Sequence, residues 1–130
     1  MRMTGSRAFT LLEVLVALAI FATVAAVVLT AVSRSLRNAE QLELKTLAGW
    51  IADNHLTELQ LARPAAAEGD SQTRLSYAGR DWELRSQVQA TGEPGLRRVT
   101  VWVARAEPGA DAEIEARALA SLTGILGEQP

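Results

Sequence analysis

The chain has 130 residues, no cysteine and a formal net charge of −2 at pH 7. Once about forty residues are assigned to an N-terminal apolar segment, the remainder is long enough for one small soluble domain. The absence of cysteine excludes a disulfide framework and a thiolate metal site, and the acidic balance provides no basic field for nucleic acid.

The first predicted element is an apolar helix over residues 9–32. At about 1.5 Å per residue it is roughly 36 Å long, which is enough to cross a hydrocarbon core of about 30 Å with some tilt. Arg2 and Arg7 precede it without an acid, and this pattern keeps the N-terminus in the cytoplasm. A cleavable secretory signal is the alternative, but its apolar region is usually about 7–15 residues long and uncharged, whereas this one contains Glu13. The sequence favours a membrane anchor.

Glu13 is a carboxylate near the start of this apolar run. An acid at the bilayer centre costs roughly 2.5–3.5 kcal/mol, so it is by default a hypothesis for a functional site. The alternative is that Glu13 lies close enough to the cytoplasmic face to reach water between the lipid headgroups. Position alone leaves both interpretations open.

The segment RAFTLLEVLVALAIF, residues 7–21, resembles the N-terminal signature of type IV prepilins and type II secretion pseudopilins. In these families a basic leader ends at a small residue, Phe follows, and Glu is the fifth residue of the mature chain. The resemblance implies a leader over residues 1–8, cleavage between Ala8 and Phe9 by a prepilin peptidase, and methylation of the new amine on Phe9. It also implies that Glu13 pairs with the N-terminal ammonium of a neighbouring subunit. Ala8 departs from the usual Gly, so the resemblance leaves the rate of cleavage open.

The helix is predicted to continue to about Ala62, because no proline occurs before Pro64. Residues 33–63 form an amphipathic continuation, since residues of one face recur at spacings of three and four. The face expected to be buried comprises Leu44, Ala48, Ile51, His55, Leu59 and Ala62. The face expected to meet partner proteins comprises Leu47, Trp50, Asn54 and Leu61.

No catalytic, cofactor or metal site is predicted. Core packing is the preferred interpretation of Trp50 and Ile51 over a cofactor role. His55 is the only histidine, and without a second histidine or a cysteine nearby it is expected to be packed or half-exposed rather than a metal ligand. Serines are scattered without a nearby histidine, and no glycine-rich phosphate loop follows a strand. The sequence therefore predicts a protein that is the substrate of an enzyme and is not itself an enzyme.

The last part of the chain predicts a small antiparallel sheet over residues 73–130, after a turn-rich connector at residues 64–72. Period-two alternation defines two strands joined by a turn at TGEPG, with Trp102 on the outer face or at an interface. The inward positions are Trp82, Leu84, Ser86 and Val88 in one strand and Val99, Val101 and Val103 in the next. A short strand at TRLSYAG precedes this hairpin, and residues 113–126 could form either a strand or a helix. The fold class is α+β, a long N-terminal helix packed on a small antiparallel sheet, and the resemblance adds that it is type IV pilin-like.

The chain after the leader is similar to general secretion pathway protein I, the I-type minor pseudopilin family of type II secretion. Three runs carry the resemblance: W-x-A-x-N-x-L-x-E-L from Trp50, G-x-x-W from Gly79 and P-x-L-R-R-V from Pro94. The family implies a role in initiating and capping a periplasmic pseudopilus. Its implied partners are the J-type and K-type minor pseudopilins, the major pseudopilin and a prepilin peptidase, with no small-molecule substrate. The implied location is the bacterial inner membrane, crossed once, with the C-terminal domain in the periplasm.

Two other classes of protein stay open at this stage. A minor pilin of a type IV pilus would share the N-terminal half, although many such pilins close a C-terminal loop with a disulfide, which this chain cannot form. A signal-anchored periplasmic domain with no assembly role is the other, and it predicts that an apolar residue can replace Glu13 without functional loss.

Overall fold

The computed structural model describes residues 10–128, so the predicted leader and the Ala8–Phe9 cleavage position lie outside the described residues. The first element is the helix α1, Leu11–Leu61, which has 51 residues. The elements that follow it are β1 Gly69–Tyr77, β2 Arg80–Ala90, β3 Leu96–Arg105, the short helix α2 Ile114–Arg117 and β4 Ala120–Gly127.

The ends of α1 follow from local chemistry. The Thr10 hydroxyl oxygen accepts a hydrogen bond from the backbone N–H of Glu13 at 3.2 Å, which caps the first turn. At the other end, the ring of Pro64 disfavours helical angles at the residue before it, and the helix stops at Leu61. The prediction of one helix from about Thr10 to about Ala62 is confirmed.

The chain divides into two units, one through Glu40 and one from Gln41 onward. Within residues 10–128, α1 is long and apolar enough to cross a membrane. The apolar side chains of the first unit, such as Leu11, Leu18 and Phe21, are exposed in the single chain. Such exposure along an apolar helix is consistent with membrane anchoring.

The second unit carries a four-stranded antiparallel meander in the order β1-β2-β3-β4. The first hairpin turns through Ala78 and Gly79, whose φ angles of 52° and 71° match the left-handed conformation that two-residue hairpin turns require. The predicted hairpin of β2 and β3 is confirmed, and the Thr91 hydroxyl donates to the Leu96 carbonyl at 2.8 Å across its turn.

Two boundaries differ from the sequence prediction. The first strand begins at Gly69, inside the predicted connector of residues 64–72, because residues 69–72 pair with residues 85–88 of β2. Residues 113–126, which could form a strand or a helix, contain both: α2 comes first and most of β4 follows. A local periodic pattern could not predict either boundary, because the start of β1 and the strand β4 form by pairing with β2 and β3.

The core lies between the second half of α1 and one face of the sheet. All the predicted inward strand positions face the helix and are buried. The core residues of α1 are Leu44, Leu47, Ala48, Ile51 and Ala52. Those of the sheet are Trp82, Leu84, Val88, Val99, Val101, Val103 and Leu126.

The prediction for Leu47 is wrong. The helical spacing predicts that this side chain faces partner proteins, but it is only 9% exposed and belongs to the core. Leu44 and Ile51 lie three residues before it and four after it, so all three occupy the same side of the helix. His55 and Leu59 are half-buried, whereas Ala62 follows the end of α1 and is exposed.

Gly124 of β4 allows close packing of helix and sheet. A Cβ atom at this position would lie 2.8 Å from Cδ1 of Leu56, which is far inside van der Waals contact. Leu56 is half-buried and packs against the core. A side chain at position 124 would therefore require Leu56 to shift where the end of α1 meets β4.

Candidate functional site

The side of α1 opposite the core presents an exposed stripe over residues 42–61. The members of this helix stripe are Leu42, Thr46, Trp50, Asn54, Thr57 and Leu61, and all are exposed. Trp50 and Leu61 are 56% and 73% exposed. The hydroxyls of Thr46 and Thr57 donate to the carbonyls of Leu42 and Asp53, each at 2.9 Å, so neither hydroxyl requires a partner outside the helix. The stripe can therefore contact another protein through apolar and uncharged side chains.

Three of the four predicted partner-facing residues, Trp50, Asn54 and Leu61, lie in the helix stripe, and Leu47 does not. The core packing expected for Trp50 is wrong, because its ring lies on the exposed side of α1, while Ile51 is in the core. Sequence reasoning missed Leu42, Thr46 and Thr57. Thr46 and Leu42 lie four and eight residues before Trp50 and Thr57 lies seven after it, so helical spacing could have identified them.

Glu13 is in the first turn of α1, and its side chain is exposed in the single chain. Within residues 10–128, none of the ion pairs includes it. The carboxylate is thus available to a group from another chain. Its expected pairing with the Phe9 amine of a neighbouring subunit stays a prediction.

His55 lies at the edge of the core, where α1 faces the beginning of β1. Its Nε2 is buried without a hydrogen-bond partner, and its Nδ1 lies 3.8 Å from Oε2 of Glu58. A cavity of about 250 Å³ adjoins the ring and is also lined by Ser71, Ser86, Glu68 and Asp70. Burial lowers the pKa of His55 below its ordinary value, and the Glu58 carboxylate opposes this effect only in part. In the part of the chain that is described, no group of three His, Asp or Glu residues could hold a metal ion.

The His55 geometry predicts a loss of stability in mild acid. Because its folded pKa is depressed, the unfolded chain binds a proton more readily, and stability falls as pH drops below the unfolded value of 6.5. We expect the thermal midpoint of the full chain in micelles to fall between pH 7.5 and pH 5, and to fall less in His55→Gln. Circular dichroism at both pH values measures this difference. Equal losses in the two proteins would assign the pH dependence to other groups.

An ion-pair network lies on the sheet face away from α1. Glu83 is buried there between Arg74, at 2.7 Å, and Arg117 of α2. Burial alone would raise the pKa of Glu83, but hydrogen bonds and charge from Arg117 and Arg74 outweigh it and hold this pKa below the ordinary value. Arg85 in turn pairs with Asp70, Glu113 and Glu115.

This network holds the segment of residues 106–119 against the outer sheet face. Ile114 is buried at the start of α2, and Ala104 of β3 is fully buried although its side chain points away from α1. The sequence pattern did not predict that residues 106–119 cover the outer sheet face. Strand alternation assigns side chains to the two faces of a sheet but does not indicate which segment covers a face. The outer face over β4 is different, since Ser121, Thr123 and Ile125 are exposed there.

Comparison with known proteins connects these surfaces to a family. The family model described as Type II secretion system (T2SS), protein I, matches residues 42–127. A second model, described as Prokaryotic N-terminal methylation motif, matches residues 3–29. The motif implies processing by a prepilin peptidase, and with the exposed apolar start of α1 it is consistent with anchoring as a prepilin-like protein.

Curated relatives align over nearly the same length. The type II secretion system protein I of Pseudomonas aeruginosa is 58% identical over 129 residues, covering 98% of this chain and 100% of that protein. The Vibrio cholerae protein of the same name is 39% identical over 88% of this chain and 96% of its own. The Klebsiella pneumoniae protein is 41% identical over 75% of this chain and 81% of its own. With a family model over both the helix stripe and the sheet, and a relative that aligns over 98% of this chain and 100% of its own length, the chain belongs to the type II secretion system protein I family, a structural pseudopilin component of type II secretion and not a family of enzymes.

Proposed function

We propose that this chain is a minor pseudopilin that helps to initiate and cap the periplasmic pseudopilus, the filament that drives export of folded proteins across the outer membrane. The helix stripe on α1 is the observation that carries this proposal. Half of the helix packs on its own sheet, while the opposite side leaves Trp50 and Leu61 exposed. The exposed Leu42, Trp50 and Leu61 are apolar surface on the side of α1 that its own sheet does not cover, so the stripe is suited to another helix.

The proposed route to the filament begins with processing at the membrane. A prepilin peptidase would remove residues 1–8 and methylate the amine of Phe9. The mature chain would then cross the inner membrane once, with its N-terminus on the cytoplasmic side and the sheet in the periplasm. The methylation motif over residues 3–29 and the apolar start of α1 support this arrangement.

The proposed partners are the J-type and K-type minor pseudopilins at the filament tip and the major pseudopilin below them. Trp50, Asn54 and Leu61 would contact them from the helix stripe, and Glu13 would receive the N-terminal ammonium of a neighbour. Tryptophan is enriched among residues that dominate binding energy, so the exposed ring of Trp50 is the strongest candidate anchor of the stripe.

The variant Trp50→Ala tests the stripe. Because the ring is outside the core, we expect the thermal midpoint to stay close to that of the parent chain. Co-purification of the full chain with tagged J-type and K-type minor pseudopilins should fall at least about tenfold, the loss typical of an aromatic anchor, and secretion should fall with it. The matched control is Lys45→Ala, an exposed residue of α1 outside the stripe. Undiminished co-purification and secretion in Trp50→Ala would contradict the proposal.

A further inference from the structure

The strand β4 is an open edge of the sheet. It pairs with β3 on one side, and among the described residues 10–128 no strand pairs with its other side. Its sequence ASLTGILG contains no charged residue and no proline over its whole length. Sheet edges are commonly protected by charged side chains, proline, bulges or a covering loop, because unpaired backbone groups can bind another strand.

The opposite edge of the sheet is protected in this way. The strand β1 includes Asp70 and Arg74, and both are tied to β2 by ion pairs, with Arg85 and Glu83 respectively. The network around Glu83 also holds residues 106–119 over this half of the outer face. The two edges of one sheet thus differ in charge and cover, and the neutral edge is the one suited to accept a strand.

One cation lies beside the neutral edge. Arg98 of β3 is exposed on the outer face, directly across from Ile125 of β4, which is 48% exposed. Arg98 belongs to none of the ion pairs within residues 10–128, whereas its neighbour Arg97 pairs with Glu128 at 3.0 Å. A strand added outside β4 would place its backbone about 10 Å from that of Arg98, two strand spacings away, so a carboxylate there could meet the guanidinium.

We propose that the edge of β4 accepts an extended strand from a partner protein, uncharged along its length except for one carboxylate placed opposite Ile125 to pair with Arg98. The backbone ladder would supply affinity and the Arg98 pair would set register and choice of partner. The inference rests on the proposed function, because it assigns this strand to one of the minor pseudopilins at the tip.

Charge distribution argues against a second copy of this chain as the occupant. An antiparallel pair of β4 strands would bring no acid opposite Ile125, since β4 has none. The nearest acid in sequence, Glu128, is already held by Arg97. A homodimer would therefore leave Arg98 without a partner.

The first test places a charge on the edge. In Ile125→Glu we expect co-purification of the full chain with tagged J-type and K-type minor pseudopilins to fall at least about tenfold, because this acid would lie directly opposite the partner's carboxylate, and like charges opposite each other on neighbouring strands oppose pairing. The control Gln72→Glu places the same charge on the outer face of β1 and should leave co-purification within about twofold of the parent. Arg98→Glu should resemble Ile125→Glu, while Arg98→Lys should retain most of the binding.

The second test does not depend on a disruptive variant. Because the chain has no cysteine, a maleimide reagent reports a single Thr123→Cys residue without background. We expect labelling to slow at least about tenfold when the two partners are co-expressed, with no slowing at Gln72→Cys. If Ile125→Glu fails to fold, this labelling decides the question.

Three results would overturn the inference. They are unchanged labelling at position 123 in a complex that still co-purifies, co-purification of folded Ile125→Glu at the parent level, and a disulfide between two Thr123→Cys chains that forms equally well without the partners. In the first two the proposed function stands. Failure of the unsubstituted chain to bind either partner would instead remove the proposed function and the inference together.

Discussion

Replacement of Glu13 by leucine is expected to abolish assembly while leaving the protein in the membrane. The substitution removes a charge that costs roughly 2.5–3.5 kcal/mol at the bilayer centre, so insertion should be at least as favourable as in the parent chain. The proposed partner, the Phe9 amine of a neighbouring subunit, would then be buried without a counter-charge. Removal of one member of a buried pair typically costs about 3–5 kcal/mol, which is enough to prevent stable association of the helices.

The assay for Glu13→Leu combines three measurements on cells. Secretion and cross-linking of the tip complex should both be lost, while the N-terminal mass should still report a mature chain that begins at Phe9, because the cleavage position lies upstream of Glu13. Glu13→Asp is the graded control, since it keeps the charge on a shorter side chain, and it should give an intermediate result. Full secretion with an intact complex in Glu13→Leu would contradict the proposed pairing and would mean that Glu13 only reaches headgroup water.

Replacement of Trp82 by alanine is expected to cause a large loss of folding stability. The side chain is fully buried in the centre of the core, and its Nε1 donates a hydrogen bond to the Tyr77 carbonyl at 3.1 Å. Truncation of a buried tryptophan typically costs about 3–5 kcal/mol, from lost burial and from the cavity that remains. Small domains have only about 5–15 kcal/mol of stability, so much of the variant should be unfolded or degraded at growth temperature.

Urea denaturation of the full chain in micelles, followed by circular dichroism, measures the Trp82 effect. The matched control is Trp102→Ala, because Trp102 lies on the outer sheet face, half-buried, with the Arg85 guanidinium 5.7 Å from its ring centroid. That variant should lose only about 0.5–1.5 kcal/mol, from the cation–π contact and partial burial. Equal losses in the two variants would contradict the assignment of Trp82 as the central core residue.

The amino-acid sequence by itself determined the long helix and the inward positions of β2 and β3. Both rest on local periodicity, since spacings of three and four select one side of a helix and alternation selects one face of a strand. The N-terminal methylation motif and the family resemblance could also be recognised in the sequence, because each rests on short contiguous runs of residues. Helical spacing correctly placed Trp50 on the side of α1 away from the core, whereas the interpretation of Trp50 as a core residue was wrong.

Only the tertiary structure decided which surfaces remain free. Leu47 enters the core because the sheet covers a wider part of α1 than one row of residues, and Glu83 is buried because Arg117, 34 residues later, returns to it. The first residues of β1 form a strand only because β2 lies beside them. In each case the deciding contact joins residues far apart in the chain, and its free energy comes from burial and charge pairing that no local pattern encodes.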